Sequence, residues 1–170
     1  MSVGGGLSHT RRWKNTSASL SGSYSNLAPY FALLSQNIDW IKAPQSGGGE
    51  LILRHQTKNE GMFKLYGSAN RSAMRMNYPD AFQPEQTTPL SLLADNLYLN
   101  TSYRGQINKW TLFAGLAYTW NRDSIGSDFA QNKIQQSTQM RFTLNRSFSR
   151  SFRLKMGAEY LSGRYDEYFR

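Results

Sequence analysis

The chain has 170 residues, of which 39% are hydrophobic, and carries a net charge of +9. It contains no cysteine, which excludes a disulfide framework and thiolate chemistry, and no apolar run of about 18 residues, which excludes a transmembrane helix. Apart from Arg11 and Arg12, the Lys and Arg residues are spread singly along the chain, so the positive charge does not indicate nucleic-acid binding. The opening "MSVGGGLSHTRR" lacks an apolar segment, and we therefore predict no signal peptide.

The first half of the chain predicts four strands. A period of two in apolar residues runs through them, and this period is typical of β-strands. In the second strand, serines alternate with Ala18, Leu20 and Tyr24. The sequence "KNEG" separates the third strand from the fourth and predicts a hairpin turn. The predicted bounds of these strands are 2–10, 16–24, 50–57 and 62–72.

The second half predicts four more strands, each with an apolar side. Met140, Phe142 and Leu144 alternate with polar residues in the seventh strand, and the eighth repeats the pattern. The predicted bounds of these strands are 96–105, 109–120, 134–147 and 152–162. We therefore expect an all-β chain.

The connections alternate in predicted length. Short turns are predicted at 11–14, 58–61, 105–108 and 148–151, and long loops at 25–48, 74–95 and 122–133. Short turns at one end and long loops at the other are typical of outer-membrane barrels, whereas the Greek-key connections of a sandwich would break the alternation. We predict an antiparallel up-and-down transmembrane β-barrel segment, with about eight strands, short periplasmic turns and long extracellular loops.

The strand 109–120, "KWTLFAGLAYTW", has an aromatic residue near each end. Trp110 and Trp120 are ten residues apart, or roughly 33 Å along a strand. A tilt of about 40° projects this length to roughly 25 Å, the height of the apolar band of an outer-membrane barrel. We predict Trp110 at the periplasmic membrane interface, and Tyr118 and Trp120 at the outer one. Arg71 and Arg146 fall on the lipid-facing side, and we expect both at strand ends, outside the hydrocarbon.

The segment 24–72 contains "YSNLAPY" and "APQSGGGELILRHQTKNEGMFKLYG", and a later hairpin reads "NLYLNTSYRGQINKWTLFAGLAYTW". These stretches resemble the barrel of TonB-dependent outer-membrane receptors of the Bacteroidetes type. The resemblance implies a barrel of about 22 strands with a plugged lumen. Since only about eight strands are predicted, and no plug domain, we interpret residues 1–170 as an internal barrel fragment. A complete eight-strand barrel is the alternative, but its packed lumen would bury many unpaired cations.

No catalytic constellation is visible, and we expect neither an enzyme nor a cofactor or metal site. The polar sides of the strands are expected to face the lumen, where we favour a hydrated wall over the alternative of contact with a plug or an anionic ligand. These candidate residues are Arg54, Lys64, Tyr66, Asn70, Tyr98, Arg104 and Arg141. Exposed aromatic residues stack on sugars or apolar groups. Those expected in the outer loops are Trp40, Tyr78, Phe82 and Phe129.

The functional hypothesis is part of a receptor barrel in the cell outer membrane that takes up a siderophore, a glycan or a vitamin-like ligand. Its expected partners are outer-membrane lipid, the plug domain and remaining barrel strands, the TonB complex and the small-molecule or oligosaccharide ligand. Nucleic acid is not among them. Two alternatives stay open: a non-transporting barrel that acts as an anchor or adhesin, and a soluble sugar-binding β-sandwich.

Overall fold

The computed structural model describes residues 3–34, 38–79, 87–126 and 130–169. These residues form one antiparallel sheet of eight strands in sequential order, together with one short helix. The elements are β1 (Val3–Arg12), β2 (Thr16–Asn26), α1 (Ala28–Leu33), β3 (Asp39–Gln56), β4 (Met62–Pro79), β5 (Thr87–Ile107), β6 (Trp110–Gly126), β7 (Gln131–Ser147) and β8 (Arg153–Phe169). The predicted all-β, up-and-down arrangement is confirmed.

Strands β3 to β8 are 17 to 21 residues long and exceed their predicted bounds. The added length comes from the segments predicted as long loops, because β3 begins at Asp39, β4 ends at Pro79 and β5 begins at Thr87. Likewise, β6 continues to Gly126 and β7 begins at Gln131. The prediction of long loops at 25–48, 74–95 and 122–133 is therefore wrong over much of each segment.

Two prolines explain part of this error. A proline cannot donate to a strand ladder, so within sheets it is confined to edges, ends and bulges. Pro44 lies where the register between β3 and β4 shifts, at an irregularity between Lys42 and Gln45. Pro89 pairs with Asn77 on one side, and the pairing of β5 with β6 starts only at Ser91. Both prolines therefore fit inside long strands without removing a needed hydrogen bond.

The predicted short turns are confirmed, at residues 13–15, 57–61, 108–109 and 148–152. Two of them contain a non-glycine residue with positive φ, Glu60 at 58° and Asn108 at 55°. The glycine of "KNEG" does not supply the left-handed conformation. Instead, Gly61 lies under Tyr103, because a Cβ at this position would meet the tyrosine hydroxyl at 2.5 Å.

The sheet is open, since β1 and β8 each pair with one neighbour and not with each other in the described ranges. No hydrophobic side chain of the described residues is buried. A β-sandwich would instead bury the inner faces of two sheets against each other. Here both faces of a single sheet are uncovered, and the chemistry of each face indicates what it contacts.

Candidate functional site

Cross-strand register divides the side chains between two faces. Directly opposed residues project to the same side, and successive residues in a strand project to opposite sides. We call one group of side chains the apolar belt, and the face that carries it the apolar face; the other is the polar face. The belt comprises Ala18, Leu20, Tyr24, Leu51, Leu53, Phe63, Leu65, Leu97, Leu99, Leu112, Leu116, Met140, Phe142, Met156 and Tyr160.

The apolar belt is uncovered along the sheet. Leu20, Leu99 and Met140 are 62%, 40% and 48% exposed. A contiguous apolar surface of this extent is rare on monomeric soluble proteins and indicates a protein or membrane contact.

The apolar belt is inclined to the hydrogen-bonded rows of the sheet. One hydrogen-bonded row runs from Ala18 in β2 through Leu116 in β6 to Tyr160 in β8. Ala18 is the first residue of the belt in β2, whereas Tyr160 is the last residue of the belt in β8. In β2 the apolar residues continue to Tyr24, six positions further. The belt thus shifts by six residues over six strand steps, about one residue per strand. A residue spans about 3.3 Å along a strand, and neighbouring strands are about 4.8 Å apart. If the belt lay parallel to a membrane plane, the strands would therefore tilt by about 35° from the membrane normal, within the range for barrels.

A row of charged residues borders the apolar belt at the end opposite the short turns. Asp95 lies between two arginines, 3.5 Å from Arg71 Nε and 3.3 Å from Arg122 Nη2. The sequence predicts Arg71 at a strand end, and this is wrong. Arg71 lies within β4, because the strand continues to Pro79. On this face it is the next residue after Ala69, which lies opposite Leu97 of the belt. We call Arg71, Asp95 and Arg122 the charged row.

Aromatic residues border the belt at the short-turn end. Trp110 begins β6, and its ring packs edge-on against Phe148 at 6.1 Å, while Phe148 contacts Phe152 at 5.6 Å. Arg146, which is expected at a strand end, is the penultimate residue of β7. Its guanidinium lies 4.4 Å from the Phe148 ring centre and 5.5 Å from that of Trp110. A long cationic side chain held this way suits an interface between apolar and aqueous surroundings.

The seven candidate ligand residues lie on the polar face but form no single site. Tyr66 donates a hydrogen bond to Glu50 at 3.1 Å, and its ring is 5.8 Å from that of Tyr98. Asn100 in turn donates to the Tyr98 hydroxyl at 3.0 Å. The others are dispersed: Arg54 pairs directly with Lys64, Asn70 borders a serine-rich cleft of about 470 Å³, and Arg104 and Arg141 border a separate pocket of about 300 Å³.

The aromatic residues predicted in outer loops are placed differently by the structure. Trp40 lies in β3, where it stacks on Phe31 of α1 at 5.2 Å. Tyr78 is the penultimate residue of β4 and is 58% exposed. The loop assignment of both is wrong, because the strands extend past the predicted ends. Phe82 and Phe129 lie outside the described residues.

Sequence reasoning missed a cleft of about 580 Å³ on the polar face, beyond the level of the apolar belt. Its apolar part is a row in which Met74 is opposite Leu92 and Leu92 is opposite Ile125. Asp123 and Lys133 provide charges at its border. All five residues lie in the predicted loops 74–95 and 122–133. Because these segments were not predicted as strands, there was no reason in the sequence to place the five side chains on one face.

Glu167 lies at the end of β8, seven residues beyond the apolar belt, in a hydrogen-bonded cluster. Its carboxylate accepts hydrogen bonds from the Tyr165 hydroxyl at 2.9 Å and from Gln131, and Lys133 Nζ is 3.8 Å away. The hydrogen bond from Tyr165 is the main cause of a lowered pKa of the Glu167 carboxyl, and the bond from Gln131 and the charge of Lys133 add to it.

We expect the substitution Tyr165→Phe to raise the pKa of Glu167 toward its ordinary value, because the charged carboxylate loses its main donor. Since the folded-state pKa is lowered, the contribution of Glu167 to stability is present above its unfolded pKa and is lost as pH falls through the folded value. NMR titration of the Glu167 carboxyl measures the shift. Tyr168→Phe, three residues on, is the control and should leave the Glu167 pKa unchanged.

Comparison with family models, with curated proteins and with solved structures gives no match. In the described ranges, no cluster of His, Cys, Asp or Glu has the composition of a metal site. The one described helix, α1, has six residues and is too short to cross a membrane.

Proposed function

We propose that this chain forms part of the wall of a β-barrel in the bacterial outer membrane, within a TonB-dependent receptor that takes up a nutrient. The observation that carries the membrane part of this proposal is the inclined apolar belt. A belt that shifts by about one residue per strand becomes level when the strands tilt as barrel strands do.

The borders of the apolar belt support the same interpretation. At a tilt of about 35°, the stretch from Trp110 to Trp120 projects to roughly 27 Å, close to the apolar height of an outer-membrane barrel. The arginines of the charged row lie just beyond one border, and the aromatic cluster around Trp110 lies at the other. Aromatic side chains favour membrane interfaces, and arginine avoids the hydrocarbon.

The receptor part rests on the sequence resemblance and on the polar face. The open edges of β1 and β8 would pair with further strands in a wide barrel, since exposed edges have unsatisfied backbone groups that membranes do not tolerate. In a wide barrel, the polar face would contact water or a plug in the lumen. The cleft on the polar face, with its apolar row of Met74, Leu92 and Ile125, would then lie near the extracellular end, where a ligand enters.

Gel migration tests the membrane part of the proposal. We expect extraction from cell envelopes only with detergent, and a band that shifts when the sample is heated, because barrels resist unfolding by detergent at room temperature. Extraction in buffer alone would contradict the proposal.

A growth assay tests the receptor part. We expect growth on the transported nutrient to fail when either the protein or the TonB complex is removed. Dependence on the protein but not on TonB would contradict the receptor assignment. A heat-shifted protein whose loss affects only adhesion would instead indicate an anchor or adhesin.

A further inference from the structure

The pocket that Arg104 and Arg141 border lies on the polar face, toward the short-turn end of the sheet. It has a volume of about 300 Å³ and is bordered by residues of β5, β6, β7 and β8. Three of these residues are the cations Arg104, Arg141 and Lys155, and no Asp or Glu of the described chain borders it. Its remaining lining residues are Thr111, Phe113, Thr143 and Asn145.

The register explains why this space is open. One row joins Arg104 to Phe113, then to Thr143 and to Gly157. Gly157 leaves the end of this row without a side chain. The Phe113 ring leans over Gly115, where a Cβ would lie 3.2 Å from the ring. The pocket therefore has an aromatic wall and hydroxyl groups between its cations.

The acidic residue next to these cations in the register forms no salt bridge with them. Glu159 is directly opposite Arg141 in the register between β7 and β8. Its carboxylate nevertheless accepts a hydrogen bond from Gln139 at 2.5 Å. The salt bridges among the described residues include neither Arg104, nor Arg141, nor Lys155. Three like charges around one small space repel each other and favour an anion between them.

We infer that the pocket formed by Arg104, Arg141 and Lys155 binds the oxyanion group of a small soluble ligand, a carboxylate or a phosphate. The guanidinium groups donate paired hydrogen bonds to such oxygens, and Lys155 adds a point charge. Thr111 and Thr143 offer further hydroxyl donors, and the ring of Phe113 can cover the adjacent carbon skeleton. The inference goes beyond the proposed function and depends on it in one respect, that the polar face is open to water.

Calorimetric titration of the protein in non-ionic detergent micelles tests the site, with inorganic phosphate and citrate as separate probes at constant ionic strength. We expect binding of at least one probe, and Arg104→Gln, Arg141→Gln and Lys155→Gln should each weaken it by roughly tenfold or more. Arg12→Gln is the matched control, because it removes a guanidinium of β1 that lies on the same face but outside this pocket, and the affinity of this variant for the probe should stay within about twofold of wild type.

Equal weakening by Arg12→Gln and by the three pocket variants would overturn the inference, since it would indicate a general charge effect. Absence of binding by both probes would also overturn it. The heat-induced gel shift is recorded for every variant. If wild-type protein shows the heat-induced gel shift but binds neither probe, the anion pocket is contradicted and the proposed membrane barrel is not. If wild-type protein shows no heat-induced gel shift, the proposed barrel itself is contradicted.

Discussion

Replacing Leu116 by arginine is expected to destabilise the membrane-inserted protein by about 2–4 kcal/mol, the cost of an arginine on the lipid face near the bilayer midplane. Leu116 lies in the middle of the apolar belt, between Thr101 and Met140 in the neighbouring strands. It is 36% exposed, so the introduced guanidinium would not clash with a packed core. Urea unfolding from lipid vesicles, followed by tryptophan fluorescence, measures the free energy of unfolding.

Ala117→Arg is the matched control for this substitution. Ala117 is the next residue of the same strand and projects to the polar face, between Asn100 and Gln139. In the proposed barrel the lumen would accept the charge there, so we expect a change in the free energy of unfolding of less than about 1 kcal/mol. Equal destabilisation by both variants would contradict the assignment of the two faces.

Gly48→Ala is expected to destabilise the sheet by about 1–3 kcal/mol, the range for overpacking. A Cβ at this position would lie 2.6 Å from the backbone carbonyl oxygen of Ala69 and would also meet the side-chain amide of Asn70. Rotation of the Asn70 side chain relieves one contact. The contact with the backbone of β4 is relieved only if the two strands move apart. The same urea titration measures the loss.

Gly67→Ala provides the comparison, because its added methyl group meets only ordinary contacts. The nearest atoms are Leu99 Cδ1 at 3.7 Å and the carbonyl oxygen of Tyr98 at 3.9 Å. Loss of backbone freedom in the unfolded chain should leave this variant as stable as wild type or stabilise it by about 0.4–1 kcal/mol. If Gly67→Ala proved as destabilising as Gly48→Ala, the close approach of β3 to β4 would not be the cause.

The order of strands and the positions of the short turns could be predicted from the sequence, because alternation is a local signal. Residues 16–24 and 134–147 carry it clearly, and the structure has strands over both. Strand length could not be predicted in the same way. Pro44 and Pro89 are locally unfavourable in a strand, and only the register shows that one lies at an irregularity and the other beyond the pairing with β6.

The candidate site was predictable only in part. Sequence alternation assigned Arg104 and Arg141 correctly to one face, since each is on the polar side of its own strand. It did not select Lys155 as their neighbour, because that depends on the pairing of Lys155 with Asn145 and of Asn145 with Thr111. Arg71 was placed on the correct face, but its partner Asp95 lies within a segment predicted as a loop. Both the neighbour Lys155 and the partner Asp95 depend on pairing between strands. Such pairing is a non-local property that alternation within one strand does not reveal.

Accessibility along β6 tests most directly whether the apolar belt faces lipid. Since the chain has no cysteine, single cysteines can be introduced at each position from 111 to 119 and labelled with a fluorophore in vesicles. We expect a period of two: labels at 112, 114, 116 and 118 are quenched by lipid-borne quenchers, and labels at the odd positions are quenched by iodide or shielded from both. Uniform quenching by iodide along the strand, or quenching by lipid at the odd positions, would contradict a belt that faces the membrane.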